Sequence, residues 1–486
     1  MEVSKAISDP EPGSLMLEKK TSFESQQTTR VIITFDSNDP ENPNNWSKAK
    51  KRFVVFTLTL TLFNSTLSSS LPANAMSPMA AEFGIDDRRG NPQLALPISL
   101  FLVGYVFGPL LFGPLSELQG RKYVLQAAFV VYILFTLACA LAPNWPSMLV
   151  FRLMSGIVGS SPSTLGGGII ADIHSDLTQR GRALTYYYTA SICAPLIAPT
   201  IAAYLAPISW RWAYWFSLIF AVKTGQGNAE TYAAIELEAK GWRNLMSVVL
   251  IRPLHMLFTE LIVAATATYI ALAYSVYYMF FQTYPIVFKG TYGMSNKKSS
   301  FMYLPIAGGI CLGLVIFFLW DAYYRRCKKA GRTWAQKNEY SRLPLACMGG
   351  PLLAISLFWA GWTARSSISW VSPMVAGIPF GAAQLLISIA LTTYLGDCYG
   401  VYSASAMAAG TCLRNLAGAG LCIAAAPMYT KLGVGWASTL LGVVSVFMCA
   451  IPFIFIRYGN TIRQRSKFYQ RLKAEMESSQ SEAESD

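Results

Sequence analysis

The chain has 486 residues, of which 53% are hydrophobic and only 13% are charged. Several stretches of about 20 residues carry no charge, and this length is what a helix needs to cross a membrane, so a soluble globular protein is excluded. The net charge of +13 does not indicate nucleic-acid binding, because the basic residues cluster beside apolar stretches and no nucleic-acid-binding signature occurs. We therefore predict an all-α polytopic membrane protein that contacts the lipid bilayer and binds no nucleic acid.

Residues 1–52 are polar and are predicted to form a disordered cytosolic tail without a cleavable signal peptide. The tail ends in an N-P-N-N-W stretch at residues 42–46, followed by a basic cluster. Twelve apolar stretches after it are predicted to be transmembrane helices. We place them at about 53–74, 94–115, 123–142, 146–171, 183–206, 209–226, 257–284, 300–320, 343–363, 369–395, 403–428 and 434–457.

Twelve spans place both termini on one side of the membrane, and the distribution of lysine and arginine makes that side the cytosol. The spans form two groups of six. Residues 53–226 are the first six-helix bundle, 227–256 the central cytosolic loop, 257–457 the second bundle and 458–486 a cytosolic tail. A basic hinge occupies a similar position in each half, as an internal duplication would require.

The segment between the second and third spans, from Gly113 to Lys122, reads G-P-L-S-E-L-Q-G-R-K. Gly113 and Gly120 allow the backbone to turn, while Glu117, Arg121 and Lys122 are placed at the membrane surface. The segment resembles the loop signature of the major facilitator superfamily, G-x-L-(A/S)-(D/E)-x-x-G-R-(K/R). The N-P-x-N-W stretch further resembles fungal drug:proton antiporters of the twelve-helix branch. The resemblance implies a major facilitator fold, with two six-helix bundles around a central cavity.

The resemblance also implies residues that couple and switch transport. Arg152 begins an R-x-x-x-G sequence whose arginine is implicated in proton coupling; the alternative is an arginine that snorkels to the external surface. Glu117, Arg121 and Asp172 would form a charge cluster that locks the outward-open state. No acidic residue lies near the middle of a span, and Glu260 is the best remaining candidate for a proton site. The acidic candidates toward cytosolic ends are Glu117, Asp172, Glu260, Asp321 and Asp397.

The fifth span departs from the antiporter signature G-P-x-x-G-P-x-x-G-G. Pro195 and Pro199 remain, but alanine replaces all four glycines. The prolines still kink the helix, and alanine still permits close packing, though less close than glycine does. This departure weakens the antiporter interpretation without removing it.

The seventh span offers an aromatic wall for a substrate cavity. Tyr274, Tyr277, Tyr278 and Phe281 recur on one helical face with Gln282 beside them, and such a face suits flat amphipathic molecules. The alternative is packing against other helices or lipid. Further candidates for the cavity are Asn64, Ser68, Gln384, Arg414 and Asn415.

The sixth span is unusually short. Its uncharged run at 212–222 would form only about 17 Å of helix, against roughly 30 Å of hydrocarbon. Relatives have a longer helix followed by P-E-T-Y, where this chain has A-E-T-Y at 229–232. A deletion or a gene-model artefact would explain the difference, and we expect it to affect activity more than fold.

The resemblance therefore implies a secondary transporter, with proton-coupled efflux of amphipathic organic compounds such as fungal metabolites, toxins or drugs. We expect a monomer in the plasma membrane, with the vacuolar membrane as the alternative, and the proton as the coupling ion without a cofactor. Nine cysteines without a C-x-x-C pair and two distant histidines predict no disulfide, metal site or enzyme activity. The alternatives are a proton-coupled nutrient importer and a transport-impaired remnant.

Overall fold

The structure, a computed structural model, describes residues 43–88, 90–228, 251–337, 339–399 and 402–464, together with residues 466 and 470. Over these residues the chain is helical and forms no β-strand. Nine helices in the described ranges are long and apolar enough to cross a membrane. This confirms the all-α membrane class. Most of the predicted tails and of the central loop, with the A-E-T-Y segment, lies outside the described residues.

The first half begins inside the segment that the sequence assigned to the disordered tail. The Ser47 hydroxyl caps the first helix by accepting a hydrogen bond from the Lys50 amide at 3.3 Å, so the helix starts at Lys48. The helices of the first half are α1 (Lys48–Ser70), α2 (Met76–Phe83), α3 (Leu96–Gln119), α4 (Arg121–Ala140), α5 (Trp145–Gly159), α6 (Ser161–Ile173), α7 (Leu177–Leu205) and α8 (Arg211–Asn228).

The second half follows the same pattern of long helices joined by short turns. A π-helical segment, Pro285–Thr291, extends its first long helix. The helices are α9 (Arg252–Thr259), α10 (Leu261–Tyr284), α11 (Asn296–Phe301), α12 (Leu304–Lys329), α13 (Glu339–Thr363), α14 (Val371–Val375), α15 (Gly377–Tyr399) and α16 (Ser403–Gln464).

The helix α16 consists of two arms that meet at Gly433. A continuous helix of 62 residues would be about 93 Å long, three times the thickness of the hydrocarbon core. Gly433 has φ 76° and ψ 162°, a conformation that glycine adopts without steric cost. The second arm, 434–464, runs antiparallel to α13: Gly361 lies at Ser438, and Glu339 pairs with Arg463 at 2.7 Å. The last two predicted spans are therefore separate helices joined by a single glycine.

Glycines set the closest helix contacts in each half. In the first half, a Cβ on Gly104 would clash with the carbonyl of Leu153, and one on Gly156 would clash with the carbonyl of Phe101. Each glycine thus faces the carbonyl three residues before its partner, which brings the backbones of α3 and α5 into contact.

The second half repeats this contact between α12 and α15. There Gly309 faces the carbonyl of Ile378, and Gly381 faces the carbonyl of Ile306, again three residues before the partner glycine. The sequences of the two basic hinges match poorly, so the duplication was expected from topology alone. The matching glycine contacts in the two halves now support the duplication at the level of individual residues.

The predicted sixth span, α8, is longer than its uncharged run. It is helical over 18 residues, about 27 Å, because the helix includes Arg211 before the run and continues to Asn228 after it. Ser217 holds the helix against α1: the Asn64 amide donates to the Ser217 carbonyl at 3.2 Å, and the Ser217 hydroxyl donates to Asn64 Oδ1 at 3.0 Å. Although α8 is not among the nine candidate spans, it is packed into the first half.

At the predicted external end, α8 is tied to the short helix α2. Arg211 forms an ion pair with Glu82, donates to the carbonyl of Ala142 at 3.1 Å, and lies over the ring of Trp210 at 4.4 Å. The hydrogen bond from Arg211 lowers the pKa of Glu82 from its ordinary value of 4.5, against an opposing contribution from burial. This group of residues connects the first external loop to the start of α8.

We expect Gly309→Ala to destabilise the protein by about 1–3 kcal/mol, because the added methyl group forces α12 and α15 apart. Gly308→Ala is the matched control, since no atom lies within 4 Å of its Cβ position, and the better helix propensity of alanine should keep it neutral or slightly stabilising. Thermal unfolding of the purified variants measures the difference. Equal melting temperatures for the two variants would contradict the packing argument.

We expect thermal stability to fall as the pH drops from about 6 to about 3, and to fall less in Glu82→Gln. A lowered folded-state pKa stabilises the fold above the unfolded value of 4.5, and that stabilisation is lost as the pH falls through the folded pKa. Asp86→Asn is the control, because the pair of Asp86 with Arg88 is exposed. A Glu82→Gln profile parallel to that of the wild type would rule out this contribution.

Candidate substrate and coupling site

The predicted aromatic face of α10 lies between the two halves. The Tyr278 hydroxyl is hydrogen-bonded to Ser69 Oγ at 2.8 Å, and the Tyr277 hydroxyl donates to the Ile192 carbonyl at 2.7 Å. The ring of Phe281 lies 5.6 Å from both tyrosine rings. Tyr277, Tyr278 and Phe281 are almost fully buried. They connect the halves in this conformation, whereas Tyr274, one turn earlier, remains partly exposed.

Arg152 is fully buried and does not snorkel to the surface. Its Nε donates to the Pro97 carbonyl at 2.8 Å, one terminal nitrogen donates to the Ser69 carbonyl at 3.1 Å, and the other reaches Ser68 Oγ at 3.4 Å. The guanidinium also lies over the ring of Phe101 at 4.4 Å. Oxygen acceptors from α1 and α3 therefore replace the water that would solvate a snorkelling arginine. Ser68, which was predicted to line the substrate cavity, instead accepts a hydrogen bond from Arg152.

The R-x-x-x-G spacing explains how Arg152 reaches these acceptors. Residues four apart lie on the same face of a helix, so Arg152 and Gly156 both face α3. Because Gly156 allows the two backbones to touch, the guanidinium one turn away meets the Pro97 carbonyl at 2.8 Å. The close contact between α3 and α5 is therefore also what allows the charge of Arg152 to be buried.

A continuous series of contacts connects Arg152 with the second intramembrane arginine, Arg414. The Ser69 carbonyl accepts from Arg152, while the Ser69 hydroxyl bonds to Tyr278. The rings of Tyr278 and Tyr274 are 4.9 Å apart, and the guanidinium of Arg414 lies 5.2 Å from the Tyr274 ring. A single serine thus links the buried charge of the first half to the aromatic face of the second.

The two prolines of α7 create an acceptor that sequence reasoning missed. In an α-helix, the Pro195 carbonyl would accept from the amide of residue 199, but Pro199 has no N–H. The Ser70 hydroxyl fills this place by donating to the Pro195 carbonyl at 2.7 Å, and the Asn74 amide donates to the Pro199 carbonyl at 3.0 Å. Two prolines four residues apart are the sequence signal that predicts such a free carbonyl.

The predicted charge cluster at the cytosolic end is assembled in part. Arg121 Nε lies 3.1 Å from Asp172 Oδ2, and Gly168 leaves room for the guanidinium, because a Cβ there would clash with it. The Glu117 side chain lies outside the described part of the chain. Lys122, in the first turn of α4, is partly exposed.

The predicted hinge between α3 and α4 is much shorter than expected. The helix α3 continues through Gly113 to Gln119, so Gly120 alone separates the two helices, with φ 83° and ψ 144°. A glycine in this conformation reverses the chain without further loop residues. The role assigned to Gly113 in the turn was therefore wrong.

Glu260 is 5% exposed and accepts a hydrogen bond from the Tyr399 hydroxyl at 3.0 Å. It precedes α10, and Tyr399 ends α15, so the contact joins two helices of the second half at their predicted cytosolic ends. The role of Glu260 as a proton site stays a prediction.

Several predicted cavity residues carry a buried polar atom that has no hydrogen-bond partner among the described residues. An unpaired buried group of this kind costs about 1–3 kcal/mol until a partner is supplied. Asn64, in contrast, uses both amide atoms in its contact with Ser217. The unpaired atoms are Gln282 Nε2, Gln384 Oε1, Arg414 Nε and Asn415 Oδ1.

We expect Ser70→Ala to lower the free energy of unfolding by about 1–3 kcal/mol, because it leaves the buried Pro195 carbonyl without a donor. Ser356→Ala is the matched control: Ser356 is equally buried, but it donates at 2.7 Å to the Leu353 carbonyl within its own helix. That carbonyl keeps the amide of Leu357 as its helical donor. Thermal unfolding compares the two, and a Ser356→Ala loss as large as that of Ser70→Ala would refute the role of the prolines.

Comparison with known proteins identifies the family. The Major Facilitator Superfamily model matches residues 58–421. The MFS-type transporter penM of Penicillium rubens is 34% identical over 472 residues, which cover 90% of each chain. The efflux pump vrtL of Penicillium aethiopicum is 32% identical over 499 residues, covering 96% of this chain and 97% of that relative. A D-xylose-proton symporter structure aligns with a TM-score of 0.64 and 16% identity over 84% of this chain and 98% of that chain, which shows a shared fold. The chain therefore belongs to the major facilitator superfamily of membrane transporters.

Proposed function

We propose that this chain exports amphipathic organic compounds across the plasma membrane in exchange for protons, by alternating access. Relatives named efflux pumps support the direction, and the fold supports movement of two halves around a shared site. In this proposal the chain crosses the membrane twelve times, has both termini in the cytosol, and works as a monomer without a cofactor.

The observation that carries the mechanism is a row of hydrogen bonds between the halves, from the predicted external end to the level of the tyrosines. Each such bond contributes about 0.5–1.5 kcal/mol net, so four of them contribute roughly 2–6 kcal/mol. A free energy of this size holds one conformation while a bound ligand or a proton can still reverse the balance. The four bonds are Asn296 to the Asn74 carbonyl at 3.2 Å, Thr200 to the Ser300 carbonyl at 3.0 Å, Tyr277 to the Ile192 carbonyl at 2.7 Å, and Tyr278 to Ser69 at 2.8 Å.

Two carboxylates are available for proton coupling in this proposal. Protonation of Asp172 removes the charge that holds Arg121 at 3.1 Å, which frees the hinge between α3 and α4. Protonation of Glu260 alters its contact with Tyr399 between α10 and α15. Either event changes a contact between helices of one half at the predicted cytosolic end, where an entering proton would leave the carrier.

Flux in inverted membrane vesicles tests the proposal. An exporter accumulates an amphipathic compound in vesicles with an acidic interior, and an uncoupler abolishes the accumulation. Accumulation only in right-side-out vesicles with an acidic exterior would instead establish import. Absence of flux for every compound tested, from protein present at the cell surface, would identify a remnant.

We expect Arg152→Lys to reduce proton-driven flux roughly 10-fold or more while the protein still reaches the membrane. A lysine ammonium cannot match the planar guanidinium that donates to acceptors on two helices, and one lost charge-assisted hydrogen bond costs about 1.5–3 kcal/mol. Arg365→Lys is the control, because Arg365 lies outside the helices and contacts the ring of Trp362 at 5.0 Å. Flux with and without a proton gradient is the measurement. Unchanged gradient dependence in Arg152→Lys would disprove a coupling role.

A further inference from the structure

Arg414 differs from Arg152 in what surrounds its charge. Arg152 donates three hydrogen bonds to oxygen atoms. Arg414 lies in the first arm of α16, and its Nε is buried without a hydrogen-bond acceptor among the described residues. Its side chain is nevertheless partly exposed. The guanidinium therefore retains donors that a bound group could use.

Among the described residues, five carboxylates near helix ends form ion pairs, and each of them pairs with an arginine other than Arg414. Because an uncompensated charge inside a membrane protein is costly, residues of this kind mark the paths and binding sites of charged solutes. The pairs are Asp172 with Arg121, Asp321 with Arg325, Asp397 with Arg342, Glu339 with Arg463 and Glu82 with Arg211.

Arg414 lies beside an aromatic ring, close to a contact between the two halves. The ring of Tyr274, in α10, lies 5.2 Å from the guanidinium. Two residues before Arg414, the Cys412 thiol donates to the Val106 carbonyl of α3 at 3.6 Å. Asn415, the next residue, adds a buried carbonyl oxygen without a partner in the described ranges. A cation beside an aromatic face matches a flat ring that carries a negative group.

We propose that Arg414 binds the anionic group of the transported molecule, and that the substrates are therefore aromatic organic acids: carboxylates, phenolates or enolates. This rests on the proposed transport function. The acid group pairs with the guanidinium, which can bind a carboxylate through two parallel hydrogen bonds. The ring of the substrate lies against Tyr274, whose ring is 5.2 Å from the guanidinium. The anionic headgroup of a phospholipid shares this chemistry, so the test separates the two sources.

Matched acid and amide probes test the proposal with the full-length protein in phosphatidylcholine nanodiscs. Binding of 2-naphthoate and of 2-naphthamide is measured at neutral pH by thermal shift and by titration of tryptophan fluorescence. We expect the wild type to bind the acid at least roughly tenfold more tightly than the amide. Arg414→Gln should abolish this preference, and Arg414→Lys should keep part of it, because lysine retains the charge but loses the planar geometry.

Arg365→Gln is the control for the loss of an arginine that lies over an aromatic ring, since Arg365 contacts Trp362 at 5.0 Å, close to the 5.2 Å between Arg414 and Tyr274. It should retain the full preference for the acid. Equal binding of acid and amide by the wild type overturns the proposal, even if Arg414→Gln fails to fold. An undiminished preference in a folded Arg414→Gln protein also overturns it.

Nanodiscs that contain phosphatidylglycerol distinguish the lipid from the solute. Suppose that this lipid stabilises the wild type but not Arg414→Gln, and that naphthoate stabilises neither protein. Arg414 then holds a lipid headgroup and the proposal fails. The binding assay uses no gradient, so its result is independent of transport. If the preference for the acid depends on Arg414 but no flux is found, the anion site is supported and the transport function fails. If proton-driven flux is found without this preference, the transport function is supported and the anion site fails.

Discussion

Direct contact between helix backbones is the constraint on which the rest of this structure depends. In each half, two glycines face each other's helix, so that carbonyl groups lie where side chains would otherwise separate the helices. Such contacts are favourable inside a membrane, where apolar side chains gain little by leaving lipid and close packing supplies much of the association energy. In the first half the contact does more than hold α3 to α5. It places the guanidinium of Arg152 within reach of the main chain of α3.

The two arginines within the apolar helices differ in their surroundings. The charge of Arg152 is distributed over oxygen atoms and an aromatic ring of its own half, so it fixes the relative positions of α1, α3 and α5. Arg414 lies beside an aromatic ring, and its buried Nε has no acceptor in the part of the chain that the structure describes. Ser69 and two tyrosines lie between the two arginines, so Arg414 is linked to residues that join the halves.

Features that depend on local sequence could be predicted, and those that depend on the main chain of a distant segment could not. Apolar length gave the membrane class, and the family resemblance grouped Arg121 with Asp172, which do form an ion pair. The acceptors of Arg152 are carbonyl groups, which every residue has and which no sequence pattern distinguishes. The partner of Asn64 lies 153 residues away in the sequence. The sequence alone therefore could not distinguish an Asn64 that joins two helices from one that lines the cavity. The predicted bounds of the sixth span, 209–226, are close to those of α8, but its uncharged run gave too short an apolar length, because the helix extends into its charged and polar ends.

The bonds between the halves have an evolutionary consequence, because most of them join a side chain to a backbone oxygen. The Tyr277 hydroxyl needs the carbonyl of Ile192, and Thr200 needs that of Ser300, but neither bond depends on which side chain the accepting residue carries. Mutations at positions 192 and 300 can therefore change the side chain there and still leave the carbonyl that accepts the hydrogen bond between the halves. Loss of the Tyr277 or Thr200 hydroxyl removes the bond itself, so we expect variation to be tolerated more readily at the accepting positions than at the donating ones.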